Sequence, residues 1–363
     1  MTMDVSDFDF YLPDELIAQH APTRGASRML VLDRTTGRRQ HSTIAELPSI
    51  LRAGDLLVVN NTRVIAARLL GHRVPSGGAV ECFLLGPTEP ASASSDSAEP
   101  IEHVRVADAL VHPGQKLKPG SLMRFEGNAG VLIAEVVARH FHGRRTIRIW
   151  AEGAGDVDAL VDALGHIPLP PYIKRDDTPA DRERYQTVYA RVRGSVAAPT
   201  AGLHFTPELL SALHDRSVER AEITLHVGYG TFKPVRATRV EDHVVEPERY
   251  EISADTETAL ARAKRERRRI IAVGTTTTRA LEDAAARGKG HVAAGSGTAS
   301  IFIYPGFHFQ MIDGLLTNFH LPASSLVMLV SAFAGREKVL DAYREAVEQR
   351  YRFYSYGDAM LIL

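Results

Sequence analysis

The chain has 363 residues, 44% of them hydrophobic and 24% charged, with a formal net charge of −1 before its 15 histidines are counted. That length gives about two domains, the composition excludes a disordered chain, and the charge excludes a uniformly basic nucleic-acid coat while leaving room for a local basic face. The single cysteine, Cys82, excludes an internal disulfide, and its neighbours Val80, Phe83 and Leu84 place it in a buried strand of a protein from a reducing compartment. Asp4, Asp7 and Asp9 at the start do not fit the basic-then-apolar pattern of a signal peptide. The longest apolar run, Ser325 to Ala334, is about half of a membrane span. A soluble, cytoplasmic protein is expected.

In chain order, Phe8 to Tyr11 reads as extended and Pro13-Asp14-Glu15-Leu16-Ile17 as a short helix. Asp55 to Leu70 is strand-like, broken by the polar Asn60-Asn61-Thr62-Arg63. Short β-type runs then recur at Ala79–Leu85, Val104–Leu110, Val131–Ala138 and Thr146–Trp150, separated by Gly and Pro, which suggests a small antiparallel barrel or sandwich. The Ala-, Ser- and Pro-rich stretch 87–100 inside it is expected to be a mobile, dispensable loop. After residue 155 helices and strands alternate. Helices are expected over 156–165, 207–215 (capped by Thr206, with Pro207 first), 254–268, 277–286 and 336–349, and strands over 223–227 and 270–273. The economical reading is one α/β domain interrupted by a β-rich insert, divided as 1–63, 64–154 and 155–363.

Ile223 to Gly230 is a strand running into Gly228-Tyr229-Gly230, which invites comparison with a methyltransferase nucleotide site. The following Thr231-Phe232-Lys233-Pro234-Val235 opposes the helix such a site requires, so these glycines are read as a tight turn beside a ligand or strand. Val273-Gly274-Thr275-Thr276-Thr277-Thr278-Arg279 joins a buried strand to a helix, and its first-turn amides and hydroxyls suit an anion or carboxylate. N-capping with a solvated Arg279 explains the same residues. His204, bracketed by small and turn residues, is a candidate acid or base, as are His226 and His320. A hydrogen-bonded structural histidine is the competing reading for each. His140, His142, Arg144 and Arg145 suggest a solvated basic face of a strand. No metal-ligand spacing is present. Lys174, Arg175, Arg182, Arg184, Arg191 and Arg193, interleaved with Tyr172, Tyr185 and Tyr189, suit single-stranded RNA, whereas Arg262 to Arg269 encircle a helix and read as solvated.

Several stretches together resemble one family. They include Asn60-Asn61-Thr62-Arg63-Val64, Leu169-Pro170-Pro171-Tyr172-Ile173, Tyr185-Gln186-Thr187-Val188-Tyr189 and Pro199-Thr200-Ala201-Gly202-Leu203-His204-Phe205. Further along come Thr224-Leu225-His226-Val227-Gly228, Ala272-Val273-Gly274-Thr275-Thr276, Ile301-Phe302-Ile303-Tyr304-Pro305-Gly306, Leu316-Thr317-Asn318-Phe319-His320-Leu321-Pro322 and Tyr351 to Met360. The family is the S-adenosylmethionine:tRNA ribosyltransferase-isomerases of queuosine synthesis, and the stretches span nearly the whole chain in family order.

The resemblance implies an α/β main domain with an inserted antiparallel six-stranded β-barrel. It implies a reaction that consumes S-adenosylmethionine as ribosyl donor, with no metal and no further cofactor. A base takes a proton from the sulfonium-acidified 5′-carbon, and adenine leaves. The aminomethyl group of the deazaguanine at the tRNA wobble position then attacks the anomeric carbon, and methionine departs as an epoxide closes. His204, His226 and His320 become proton-transfer candidates, with Asp313 as a positioning group. Substrate contacts are expected from Arg63, Tyr172, Thr200, Gly202, Gly228, Thr275, Thr276, Thr277, Arg279 and Asn318, and tRNA contacts from Lys174, Arg175, Arg182 and Arg184. The expected partners are S-adenosylmethionine and tRNA carrying the pre-queuosine base, with no membrane, and the expected state is a monomer. The family's second histidine after the one matching His243 is replaced here by Glu246, which either substitutes as an acid–base group or marks a lost role. A non-catalytic RNA-binding paralogue and an S-adenosylmethionine-dependent RNA methyltransferase are the alternatives.

Overall fold

A computed structural model of the protein describes residues 2–91, 103–153, 155–232 and 234–363. The interior of the Ala/Ser/Pro-rich stretch lies outside the described residues. Its first part does not behave as a loop, because Glu89 and Pro90 pair with Val106 and Arg105.

A nine-stranded mixed sheet forms the main domain. Its order is Gly295–Ala299, Glu248–Ile252, Glu219–Leu225, Leu56–Asn60, Ile270–Val273, Gly314–Asn318, Ala359–Ile362, Arg28–Leu32 and Arg39–Thr43. The strands at 219–225, 56–60, 270–273 and 314–318 are mutually parallel. The last three are buried at every position, as strands covered on both faces must be. The helices Ala254–Arg265, Thr275–Arg287, Ser325–Ala334 and Arg336–Glu348 send apolar side chains into the core on one face. On the other face lie Leu209 and Leu213 of helix Pro207–Asp215, with Ile44, Leu47 and Leu51. The expected caps form: the Thr206 hydroxyl accepts from Leu209 N–H and the Asp156 carboxylate from Ala159 N–H. The apolar run Ser325–Ala334 is a buried core helix, and no helix among the described residues is long and apolar enough to cross a membrane.

Six antiparallel strands close the barrel in the order Arg144–Ala151, Gly130–Arg139, Leu122–Gly127, Arg68–Val74, Ala79–Leu84 and Val104–His112, the last pairing back to the first. Alternate residues such as Val80, Cys82 and Leu84, or Leu132, Ala134 and Val136, fill its interior. Helix Val157–Leu164 seals the barrel core with Val157, Leu160 and Val161. Burial pushes the Cys82 thiol up to about 12, so it is an inert apolar filler. Arg145 does not share a solvated face with Arg144. It is only 1% exposed, and its guanidinium donates to the carbonyls of Leu117, Gly143, Arg144 and Gly114. The barrel hangs on a neck of two parallel strands, Thr62–Val64 and Val192–Ser195. This neck sets the barrel at the edge where the four parallel strands end.

Candidate functional site at the barrel junction

In sheets of this kind ligands bind outside the carboxyl ends of the parallel strands. Here those ends deliver Asn61–Arg63, His226–Gly228, Gly274–Thr276 and Asn318–His320 to one edge. Gly274 has φ +93°, the left-handed region where glycine escapes the Cβ clash, and this lets the strand turn directly into helix Thr275–Arg287.

Two cavities lie at this edge and share Val227. The inner one brings together Tyr172, Thr200, Thr275, Thr276, Asn318 and His320, with Tyr185, Tyr354, Ser355 and Thr231. Tyr172 Oη bonds Ser355 Oγ, and its ring meets Tyr354 edge-on at 3.9 Å between centroids. Asn318 Nδ2 donates to the Tyr354 carbonyl at 2.9 Å, and His320 Nε2 lies 2.9 Å from Thr317 Oγ1. The outer cavity, about 820 Å³, is a cleft between barrel and sheet lined by His226, Gly228, Glu248, Glu251, Asp108 and Arg144, among others. His226 Nδ1 is held by Thr62 Oγ1 at 3.0 Å, leaving Nε2 for a ligand. Gly194 supports the ring from behind: a Cβ there would come within 2.6 Å of His226 Cε1.

Glu248 joins the two cavities. It accepts from Gly228 N–H at 3.0 Å, from the Thr231 hydroxyl at 3.4 Å and from Arg279 Nη1 at 2.8 Å. Burial pushes its carboxyl above the usual range, and Arg279 opposes that shift.

The remaining expected site residues are placed elsewhere or serve the scaffold. Asp313 lies at the amino end of strand Gly314–Asn318, where its carboxylate accepts from Ile270 N–H at 3.0 Å. It is a strand-pairing residue at the opposite edge from the cavities. Thr277 is fully buried and its hydroxyl donates to the Val273 carbonyl one turn back. Gly202 makes room for Tyr189, whose Oη would lie 2.4 Å from an added Cβ. Arg279 is no solvated cap, since it pairs Glu248 and donates to the carbonyls of Ile301, Glu246 and Ala299. Arg63 is exposed on the neck. His204 is buried beneath the inner cavity, with Nδ1 2.9 Å from Ser27 Oγ. Glu246 packs its side chain against Gly230. The turn after His226 continues as a four-residue 3-10 segment, Tyr229–Phe232, so no α-helix N-terminus follows the Gly-x-Gly.

The expected RNA patch is largely engaged within the chain. Arg175 forms a two-pronged pair with Asp181 at 2.7 and 2.8 Å and donates to the Gln19 carbonyl. Arg182 donates to the Asp162 and Gly165 carbonyls, and Arg184 to that of Pro22. Lys174 is exposed, 3.8 Å from Asp14. Among the described residues no group of three or more His, Cys, Asp or Glu is arranged to hold a metal ion.

The three histidines are neutral near pH 7, because desolvation penalises their charged forms. His204 is lowered to about 4, His320 to about 3, and His226 is lowered as well. They can accept a proton or donate a neutral N–H, but they do not stand ready as imidazolium acids. The same shifts carry a stability consequence. An unfolded histidine with pKa near 6.5 binds protons that the buried ring refuses, so stability falls as pH drops from about 6.5 toward 4. Each ring contributes up to about 1.4 kcal/mol per pH unit in that window, with Glu248 acting in the opposite sense. Urea denaturation at pH 7.5, 6 and 5 is expected to show this fall, and a flat profile would contradict the neutral buried rings.

The fold and the paired cavities define an α/β protein whose site lies where an inserted barrel meets the sheet. The family described as "Queuosine biosynthesis protein" matches residues 5–362. The chain is 51% identical to the S-adenosylmethionine:tRNA ribosyltransferase-isomerase of Heliobacterium modesticaldum over 99% of this chain and all of that protein. It is 50% identical to that of Nitratidesulfovibrio vulgaris, over 99% and 97%. The crystal structure of the S-adenosylmethionine tRNA ribosyltransferase from Thermotoga maritima aligns with a TM-score of 0.53 at 36% identity, covering 99% of this chain and 100% of that one. The chain belongs to the S-adenosylmethionine:tRNA ribosyltransferase-isomerase family of queuosine biosynthesis.

Proposed function

We propose that this chain transfers and isomerises the ribosyl group of S-adenosylmethionine onto the aminomethyl-deazaguanine at the wobble position of tRNA, giving epoxyqueuosine-tRNA, adenine and methionine. The observation that carries the reading is the end-to-end match at about half identity to ribosyltransferase-isomerases. The site supports it: a neutral histidine, His226, sits in a wide cleft of about 820 Å³ beside a much smaller and narrower cavity. His226 is the base we assign to the 5′-proton, since it is neutral, as a base must be at working pH, and it alone of the three lines the outer cleft. Thr62 orients it and Gly194 backs it. Glu248 and Arg279 hold the Gly228 turn between the two cavities, while His204 supports the floor of the inner cavity and His320 its wall. S-adenosylmethionine is the co-substrate, and the protein acts as a cytoplasmic monomer built as 1–63, 64–154 and 155–363.

Adenine release from S-adenosylmethionine, followed with and without tRNA carrying the aminomethyl base, tests the reading. Release that depends on that tRNA is expected. A binding-only protein gives none, and a methyltransferase gives S-adenosylhomocysteine instead.

The RNA face is proposed on the barrel. Phe141, 89% exposed, sits at the tip of a hairpin between exposed Arg139 and Arg144, beside the outer cleft, and Arg148 is half-exposed on the same strand pair. An exposed ring flanked by guanidiniums suits base stacking with phosphate pairing. Removing charge at Arg139, Arg144 and Arg148 is expected to weaken tRNA binding and reduce the slope of log affinity against log salt by about 0.7 to 0.9 per lost phosphate contact. The quadruple change at Lys174, Arg175, Arg182 and Arg184 is expected to lower stability instead, through the lost carbonyl and carboxylate contacts. A reduced salt slope from the second set alone would return the RNA face to the 174–184 segment.

A further inference from the structure

The two cavities differ in kind. Among the described residues no Asp, Glu, Lys or Arg lines the inner one, whereas Glu89, Asp108, Glu248 and Glu251 line the outer cleft together with Arg144 and Arg249. The tyrosines of the inner wall keep their protons, since burial pushes Tyr354 up to about 12 and Tyr172 and Tyr185 further. With His320 also neutral, the inner cavity carries no net charge near pH 7. Its aromatic and apolar walls nevertheless contain polar atoms with no partner at full hydrogen-bond geometry among the described residues: Thr276 Oγ1, Asn318 Oδ1, which His204 faces, and Tyr185 Oη, which lies near the Ala198 backbone and Ser355. Asn318 is 2% exposed and Tyr185 fully buried. The orientation of Asn318 is fixed, because its Nδ2 already donates to the Tyr354 carbonyl, so the oxygen is an acceptor; His204 faces it from within the fold, and the oxygen's second lone pair is left for a ligand. Buried polar atoms without partners are costly and uncommon. Three of them around one cavity, at the N-terminus of a 13-residue helix, describe a built site for a ligand with its own donors and acceptors.

A zwitterionic amino acid or a phosphate would surrender its hydration here with no opposite side-chain charge to meet it. A neutral aromatic heterocycle loses little, packs against the tyrosines, and brings amine donors and ring-nitrogen acceptors. The deazaguanine is excluded by its ammonium group and its attachment to RNA, both of which suit the wide acidic cleft. We propose that the inner cavity holds the adenine of S-adenosylmethionine, with Asn318 Oδ1 accepting from its exocyclic amine and the Thr276 and Tyr185 hydroxyls meeting its ring nitrogens. The ribose then crosses at Val227 into the outer cleft, where His226 and the tRNA base lie. This inference rests on the activity proposed above.

Titration calorimetry of the full chain with free adenine and with free L-methionine tests it. Adenine is expected to bind. Thr276→Val is expected to weaken adenine roughly two- to tenfold, the range of one neutral hydrogen bond, while the melting temperature stays at or above that of the parent, because the lost hydroxyl had no partner. Asn318→Ala is expected to weaken adenine as well. It also frees the Tyr354 carbonyl, so Thr276→Val is the cleaner variant. Methionine affinity is expected to be the same in the parent and in Thr276→Val. Adenine affinity unchanged in both variants overturns the assignment. So does methionine displacing adenine, which would put the amino-acid end in this cavity, or turnover of S-adenosylmethionine by a chain that does not bind adenine. Adenine binding that depends on Thr276 in a chain that never turns over S-adenosylmethionine would sustain the subsite and remove the proposed activity.

Discussion

Replacing His226 with alanine is expected to lower turnover by about 100- to 10,000-fold, the range supplied by a positioned proton carrier, with little change in melting temperature. The ring lines an open cleft rather than the core, and it is held by a hydrogen bond to Thr62, so folding loses little when it is removed. Gly194→Ala offers a second approach to the same residue. The new methyl would meet the ring at 2.6 Å and force it aside, and φ at Gly194 is +152°, which side chains rarely adopt. Turnover should therefore fall in this variant although His226 is still present. Single-turnover rates on pre-modified tRNA provide the measurement. Rates within threefold of the parent in a folded His226→Ala protein would remove this histidine from the chemistry.

Arg279→Met is expected to destabilise the protein by about 3 to 5 kcal/mol at pH 7.5, because it leaves the Glu248 carboxylate buried without its counter-ion. The side chain of Glu248 is 4% exposed, so water cannot replace the lost partner. Protonation can, and burial already favours it. The difference between variant and parent should accordingly shrink as pH falls and Glu248 takes up a proton. Adenine release should also fall in Arg279→Met, since Glu248 fixes the Gly228 turn between the cavities. A loss below 1 kcal/mol at pH 7.5, measured by urea denaturation, would show that the pair does not hold this junction.

The fold class, an α/β sheet protein carrying a barrel, was legible because its signals are local. Short β runs with turn residues mark the barrel, and the 3.6-residue periodicity and caps mark the later helices. The terminal contributions to the sheet were not legible. Arg28–Leu32 and Ala359–Ile362 are joined by a pairing between opposite ends of the chain, which no local pattern records, and Arg39–Thr43 enters the sheet as the hairpin partner of Arg28–Leu32. In the site, Tyr172, Thr200, Thr275, Thr276, Asn318 and His320 were singled out in sequence and meet in one cavity. Thr200, Thr275, Thr276, Asn318 and His320 stand at or just after strand ends, among turn residues or hydroxylated neighbours. Asp313 shows the limit of this reasoning: it is five residues from Asn318, yet an intervening strand carries it to the opposite edge. Glu248 was overlooked because a lone acid after a proline looks solvated, and only the fold shows that it is buried against Arg279. Arg182 and Arg184 of the 174–184 segment read as free in sequence for the converse reason. Their backbone-carbonyl partners, Asp162, Gly165 and Pro22, leave no trace in charge pattern.

The most direct test of ribosyl transfer uses S-adenosylmethionine labelled with one isotope in the ribose and another in the S-methyl group, incubated with this protein and tRNA carrying the aminomethyl-deazaguanine. The ribose label is expected to appear in the tRNA, with one adenine released per ribose transferred and the methyl label recovered in free methionine. Methyl label in the tRNA, or tRNA free of ribose label while S-adenosylmethionine is consumed, would contradict it.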